Sequence, residues 1–436
     1  MSIESFPSNN NEPEELDLSQ EQESVDTPDE QEQLDAPVEQ VSARERLEGY
    51  EKKAQMYRRF GGKTMEYLLS QTKEYQQNAA NNTVDQEQNE ETAFADRQAE
   101  ALIEQYENTF DLIKKSKQAQ QDRFIVSHDQ VNTLDEVRKE LESGAAIIEL
   151  DVRFDKDGKP WVSHSPRAGA RFLFSKPIHE STSEEVEKIG KRMSLEDALS
   201  LVKEYNEDGN QSVVIEVKEL GPTEEGRAER LSNVGELLEK NGLKESAAFA
   251  TLSQDLLGSI HDAFPDNSKF LNGGIMLGIS CQIQNSKGNF FGKDLEIPIK
   301  FPGMELYITG KVEPPKHNDG YGKQSGYLYF GLSPKTVDIL SGMNEKGKTG
   351  SASLTIVSKM AEVVRMVNPK AGDALLKKYT DKLRSMNIKP QAWVPTWRKE
   401  KGIENAGNIM GEDAVLYSND RNIGDTAAKL PEKNNQ

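Results

Sequence analysis

Apolar residues recur along this chain in two rhythms, and the change between them falls near Asp122. Over 92–120, Ala95, Ala99, Leu102, Ile103, Tyr106, Phe110 and Ile113 return at every third or fourth position, the spacing of one buried helix face. Residues 43–77 are rich in strong helix formers, with a break at Gly61-Gly62. These stretches predict a helical extension over 43–120 that packs on the rest of the chain. Self-association through it is the alternative, and the lack of a sustained heptad argues for packing. Beyond Asp122, short apolar runs alternate with helical ones. Strands are expected at Arg123–Ser127, from Ala145 through Val152, and at Ser212–Lys218, Ala247–Leu252, Ile275–Ile279, Ser353–Val357, Gln391–Val394 and Ala414–Ser418. Helices are expected between them. Thr133-Leu134-Asp135-Glu136 is a capping box opening one of them, which Gly144 ends, and Gly242 stops another.

About eight βα units predict an α/β fold closed as a (β/α)8 TIM barrel. An open doubly wound sheet is the alternative, and no Gly-rich first turn supports it. The rhythm breaks over 281–350, which is rich in Gly, Pro, Lys and aromatic residues and reads as an inserted loop or small β-rich subdomain. The expected organisation is a disordered acidic tail (1–42), the helical extension (43–120), the barrel (122–425) with its insertion (281–350), and a short disordered tail (426–436).

Charge alters this picture at one end only. The 436 residues carry 54 Lys and Arg against 74 Asp and Glu, a net charge of −20. Residues 1–40 hold thirteen acids and no Lys or Arg, so the other 396 residues account for −7. That stretch is too polar to offset its ordering entropy. No compact basic run suits nucleic acid. Cys281 is the single cysteine, which excludes an intramolecular disulfide and a cysteine zinc site. No signal peptide and no membrane-length apolar run are seen, and the expectation is a cytoplasmic protein. Gly61-Gly62-Lys63-Thr64 lacks the first glycine of a phosphate-binding loop, since Tyr57 stands there.

The candidate chemistry sits in 145–165, AAIIELDVRFDKDGKPWVSHS. Glu149 and Asp151 interrupt an apolar strand two residues apart, so they share a face. Asp157-Gly158 turns the chain back towards His164. His128 ends the first strand, and Glu216 and Lys218, again two apart, lie late on the third. In a barrel these positions meet at the C-terminal ends of the strands. Taken singly, each has a structural reading: a strand-end histidine in the core, or Glu149 paired with Lys218. Together, three carboxylates suit a hard cation such as Mg²⁺ or Ca²⁺, and two histidines supply an acid and a base. A lysine and a cation hold an anionic oxygen. This set describes displacement at a phosphate diester. His179, His261 and His317 are assigned no role.

The same residues resemble the glycerophosphodiester phosphodiesterases, among the wider barrel phosphodiesterases that include phosphatidylinositol phospholipases. The resemblance is carried by His128, Asn132-Thr133, Gly144-Ala145, Glu149-Leu150-Asp151-Val152, Lys156-Asp157-Gly158, His164 and Glu216-Val217-Lys218, and later by Trp393 and Ala414–Asp420. It covers about 122–425, is specific over 126–218 and weak over 281–350. It implies a divalent cation held by Glu149, Asp151 and Glu216. It makes His128 and His164 the general acid/base pair, and Lys218 and Trp393 substrate-binding residues. Two positions depart from the family pattern: Asp129 stands where an Arg usually follows the first histidine, and Ser165 where an Asp usually follows the second. Arg153 is the first candidate for the missing cation, before Arg167 and Arg171. The implied activity is hydrolysis of a glycerophosphodiester or a related phospholipid head group. One rival is a phospholipase D-like enzyme for lysophospholipids or sphingolipids, with Phe290, Phe291 and Phe301 at the mouth. The other is a degenerate barrel that only binds.

Overall fold

The structure is a computed structural model that describes residues 42–81, 88–128, 131–166, 176–188, 192–206, 209–221, 223–272, 277–284, 294–301, 304–311, 323–354, 364, 367–394, 409–420 and 423–429. Of these, 81, 88–92, 277–284, 294–301, 304–311, 323–331, 334, 393 and 394 are described by their backbone alone. Ala43–Gln436 form one compact unit. The acidic tail expected over 1–42, apart from Ser42, lies outside the described residues, as do Asp129, Arg167, Arg171, Phe290, Phe291 and His317.

Eight parallel strands close on themselves. They are β1 (Ile125–Ser127), β2 (Ile147–Phe154), β5 (Ser212–Val217), β6 (Ala248–Thr251), β7 (Ser268–Leu271), β12 (Gly350–Ser353), β13 (Lys389–Val394) and β14 (Val415–Ser418). Neighbours pair in that order, and β14 returns to β1. The fold is the expected (β/α)8 barrel. Helices α4 (Leu134–Glu142), α6 (Leu195–Glu204), α7 (Glu224–Lys240), α8 (Gln254–Ala263), α9 (Pro334–Glu345) and α10 (Pro369–Arg384) alternate with the strands. Residues alternate along β2: Ile148, Leu150 and Val152 join the core under the helices, while Ile147 packs inside the barrel with Val126, Val214, Ala248 and Phe270. Two short strands, β3 (Pro160–Val162) and β4 (Met193–Ser194), extend β2 in antiparallel fashion. Asp155, fully buried, fixes their turn. It accepts from the Asp157 and Lys159 amides at 2.9 Å each, from Trp161 Nε1 at 2.8 Å and from the Ser183 hydroxyl, which opens α5 (Ser183–Lys188), at 2.6 Å.

Before the barrel run α1 (Ala43–Met56), α2 (Lys63–Asn81) and α3 (Gln88–Asp122). Leu47, Leu68, Ile103, Tyr106 and Ile113 on these helices, with Tyr57 and Phe60 in the turn between α1 and α2, belong to the same buried cluster as the barrel residues Leu150 and Ile215. The end of α3 is tied to the start of β2 by Gln120, which donates to Gly144 O and accepts from the Ala146 amide, both at 2.9 Å. The extension therefore meets the N-terminal ends of the strands. The last helix, α11 (Ile423–Ala428), packs on α3, with the Ser116 hydroxyl on Gly424 O at 2.6 Å. Thr426 and Ala427, expected in the tail from 426, are buried on this helix, and residues 430–436 lie outside the described residues.

Two expected strands move. The fifth barrel strand is Ser268–Leu271, not Ile275–Ile279. The latter stretch leads into β8 (Leu277–Gln284), which with β9 (Asp294–Phe301), β10 (Met304–Lys311) and β11 (Lys323–Gly331) forms a separate antiparallel sheet in the order β8-β11-β10-β9. The sixth is Gly350–Ser353; of the expected Ser353–Val357, residues 355–357 lie outside the described residues. The polar residues Lys269, Ser351 and Ser353 disguise both strands, although all three side chains are buried. With α9 and β12 part of the barrel, the interruption expected over 281–350 ends earlier, at Gly331. Among the described residues no helix is long and apolar enough to cross a membrane.

Candidate active site

The acids are delivered by register. Asp151 on β2 lies level with Glu216 on β5. Ser127 lies level with Ile148, so His128, one step on, reaches the level of Glu149. Each acid alternates with residues that face the helices, so all three project into the barrel near the C-terminal ends of their strands. One oxygen from each of Glu149, Asp151 and Glu216 lies within 4.8 Å of the others, and all three residues are buried.

Their partners are few. Lys218 Nζ sits 2.8 Å from Asp151 Oδ1 and 2.7 Å from Glu216 Oε2. Glu149 does not pair with this lysine. Its Oε2 meets His128 Nδ1 in a close contact, and its Oε1 accepts from Asn272 Nδ2 at 3.1 Å. Glu216 Oε1 is buried and has no hydrogen-bond partner. Three buried carboxylates thus face one ammonium and one imidazole. A buried anion is costly unless compensated, so the cluster is short of positive charge. This donor set, all oxygen and tightly convergent, fits a hard divalent cation.

The charges also order the proton affinities. Burial pushes Glu216 up to about 7, against the pull of Lys218 and with a further push from Asp151. Burial works the same way on Asp151, but Lys218 overrides it and holds that carboxyl below its ordinary value. Lys218 is raised: burial opposes its charge, and Glu216 and Asp151 more than restore it. His164 lies just past β3 and is exposed. Burial lowers its pKa, assisted by Lys218 and Arg153 and opposed by Asp151. It is therefore neutral near pH 7 and available to accept a proton.

Arg153 is engaged at the rim: it pairs with Glu219 at 3.3 Å and donates to His164 O at 3.2 Å. Trp393 falls on β13, level with Tyr417, and is described by its backbone only. His179 lies 3.6 Å from Glu219, and His261 is on α8, away from the acids. Three residues near the site escape the sequence reading. Asn272, just past β7, donates to Glu149, and Gln391 on β13 donates to Asn272. Arg192 donates to Asn132 Oδ1 at 3.2 Å, which also accepts from the His164 amide at 3.2 Å. Their only signal in the sequence is a polar residue at an inward strand position or a strand end. A separate groove of about 1000 Å³ between α7 and α8, lined by Arg227, Glu236, Asp255 and Lys335, shares no residue with the acids.

Residues 126–254 match the model of the glycerophosphoryl diester phosphodiesterase family. Three solved structures illustrate the likeness. A glycerophosphodiester phosphodiesterase from Parabacteroides distasonis is 14% identical, over 68% of this chain and 92% of that one, with a TM-score of 0.39. One from Thermotoga maritima is 17% identical, over 67% and 89%, with a TM-score of 0.36. An Oleispira antarctica phosphodiesterase in complex with the product sn-glycerol-3-phosphate is 12% identical, over 69% and 95%, with a TM-score of 0.37. No curated protein matches the chain.

Proposed function

We propose that this chain, whose residues 126–254 match the model of the glycerophosphoryl diester phosphodiesterase family, hydrolyses glycerophosphodiesters with a divalent cation, Mg²⁺ or Ca²⁺, held by Glu149, Asp151 and Glu216. The observation that carries the cation is the convergence of three buried acids on a single lysine, with Glu216 Oε1 left unpartnered. Bound there, a cation neutralises the acids and withdraws charge from a phosphate oxygen. Lys218, buried and kept charged by Asp151 and Glu216, presents a second positive group to that phosphate. His164 takes the proton of the attacking hydroxyl or water. His128, whose Nδ1 rests on the Glu149 carboxylate, holds a proton for the departing alcohol. Arg153 positions the His164 turn through its carbonyl. The ordered spacing of these groups at one end of a closed barrel favours turnover over binding alone.

Turnover of a panel of glycerophosphodiesters and lysophospholipids tests this reading, with Mg²⁺ or Ca²⁺ present or with EDTA. Activity that needs the cation and falls at least about a hundredfold in His128→Ala and Glu216→Ala supports it. Activity indifferent to EDTA and to both variants sinks it. Preference for lysophospholipids would favour the phospholipase D-like reading.

A further inference from the structure

Glu149 is reached from across the barrel by a chain of side-chain hydrogen bonds that the phosphodiesterase machinery does not use. Asn272 follows β7, and its Nδ2 donates to Glu149 Oε1 at 3.1 Å. Its Oδ1 accepts from Gln391 Nε2, on β13, at 2.6 Å. Gln391 Oε1 in turn accepts from the Ser351 hydroxyl, on β12, at 2.9 Å. Gln391 and Ser351 are buried. Three strands of the barrel and the residue that follows a fourth are thereby joined through polar side chains in a place where burial would favour apolar ones.

The chain has one sense. An ionised carboxylate only accepts, so Asn272 must turn its NH₂ to Glu149 and its carbonyl to Gln391. Gln391 must then offer its own NH₂, which turns its carbonyl to Ser351, and Ser351 must donate. Reversing any one link sets two acceptors, or two donors, against each other in a buried space, a costly arrangement. Each amide orientation is therefore locked by the next. The hydroxyl of Ser351, remote from the acids, terminates the series.

We propose that Asn272 and Gln391 are positioning residues that fix the Glu149 carboxylate for cation capture, with Ser351 as their anchor. Rotation of Glu149 would break the Asn272 bond and, behind it, leave the Gln391 link without a fixed partner. The relay keeps one oxygen of Glu149 occupied from the β7 side while His128 occupies the other, which confines the carboxylate plane where Asp151 and Glu216 converge.

The inference rests on the cation reading, and the test separates the two. Ca²⁺ or Mg²⁺ alone is titrated into the full chain by calorimetry, for the wild type, Asn272→Leu and Gln391→Leu. Gln391→Leu touches none of the acids or histidines, and its cation affinity is expected to fall about tenfold, with Asn272→Leu falling further. In both, lost turnover should return as the cation is raised, because the acids themselves are intact. Affinity within twofold of wild type in Gln391→Leu overturns the proposal. If Asn272→Leu does not fold, Gln391→Leu decides alone. A second arm needs no cation: the side-chain amide protons of Asn272 and Gln391 should exchange slowly with solvent in the wild type, and those of Asn272 faster in Gln391→Leu. Exchange at ordinary surface rates in the wild type overturns the relay. A wild type that takes up no cation overturns the metal reading, and the exchange arm still decides the relay.

Discussion

Lys269 shows how one residue hides a strand. It stands on β7, fully buried against α8, and its ammonium contacts the carbonyls of Phe264 and Asn267. Burial lowers its pKa to about 7 from 10.5, partly opposed by Asp266. Between those values the unfolded chain keeps the proton and the native one does not, so this group makes stability rise with pH. Relative to Lys269→Met, the wild type should therefore gain unfolding free energy from pH 7 to pH 10, by a few kcal/mol at most. Chemical denaturation across that range reads the difference, and a flat difference refutes a lowered pKa. The site makes the opposite kind of compromise. Three acids with one lysine are stable only at a cost, so Glu216→Gln should raise the unfolding midpoint in EDTA at pH 8 while abolishing cation uptake. An unchanged or lower midpoint would mean that Lys218 alone already balances the cluster.

Elements formed as their local signals required wherever the signal was local. Thr133 caps α4 in a full capping box, with Glu136 returning to the Thr133 amide. Ser194, Thr223 and Ser253 cap α6, α7 and α8. The strands that were misplaced depend on distant neighbours. Gly350 opens β12 where a Cβ would lie 1.9 Å from Leu340 O, so the strand can begin there only with glycine beneath α9. No periodicity in GSAS reveals this. In the inserted sheet the register sets Leu306 opposite Ile299, and Ile308 opposite both Ile297 and Phe330, which matches the alternation of apolar positions in the sequence. The helical extension depends on single joints. Gln120→Leu would leave Gly144 O and the Ala146 amide without a partner, and should cost about 2–5 kcal/mol. Thermal unfolding measures it, and turnover per folded molecule should stay unchanged, since these groups lie at the end of the barrel remote from the acids.

At the scale of the molecule, one buried cluster runs from Leu47 in α1 through the barrel to Ile423 in α11. The extension and barrel should therefore unfold in one transition, with near-UV and far-UV signals coincident; an earlier loss of helix signal would show that α1–α3 melt separately. The sequence by itself determined the barrel class and most of its strands and helices, and it put Glu149, Asp151, Glu216, Lys218 and His128 at strand positions that meet. It could do so because strand alternation has a period of two and caps act over three residues, so the signal lies within a few neighbours. Only the tertiary structure decided that Lys218 serves Asp151 and Glu216 while Glu149 turns to His128 and Asn272. It alone made strands of SKFL and GSAS, bonded Arg153 to the His164 turn, and joined Asn272 to Gln391 across 119 positions of chain. A buried polar residue is legible only with its partner, and here the partners come from strands far apart in the sequence that barrel closure sets side by side.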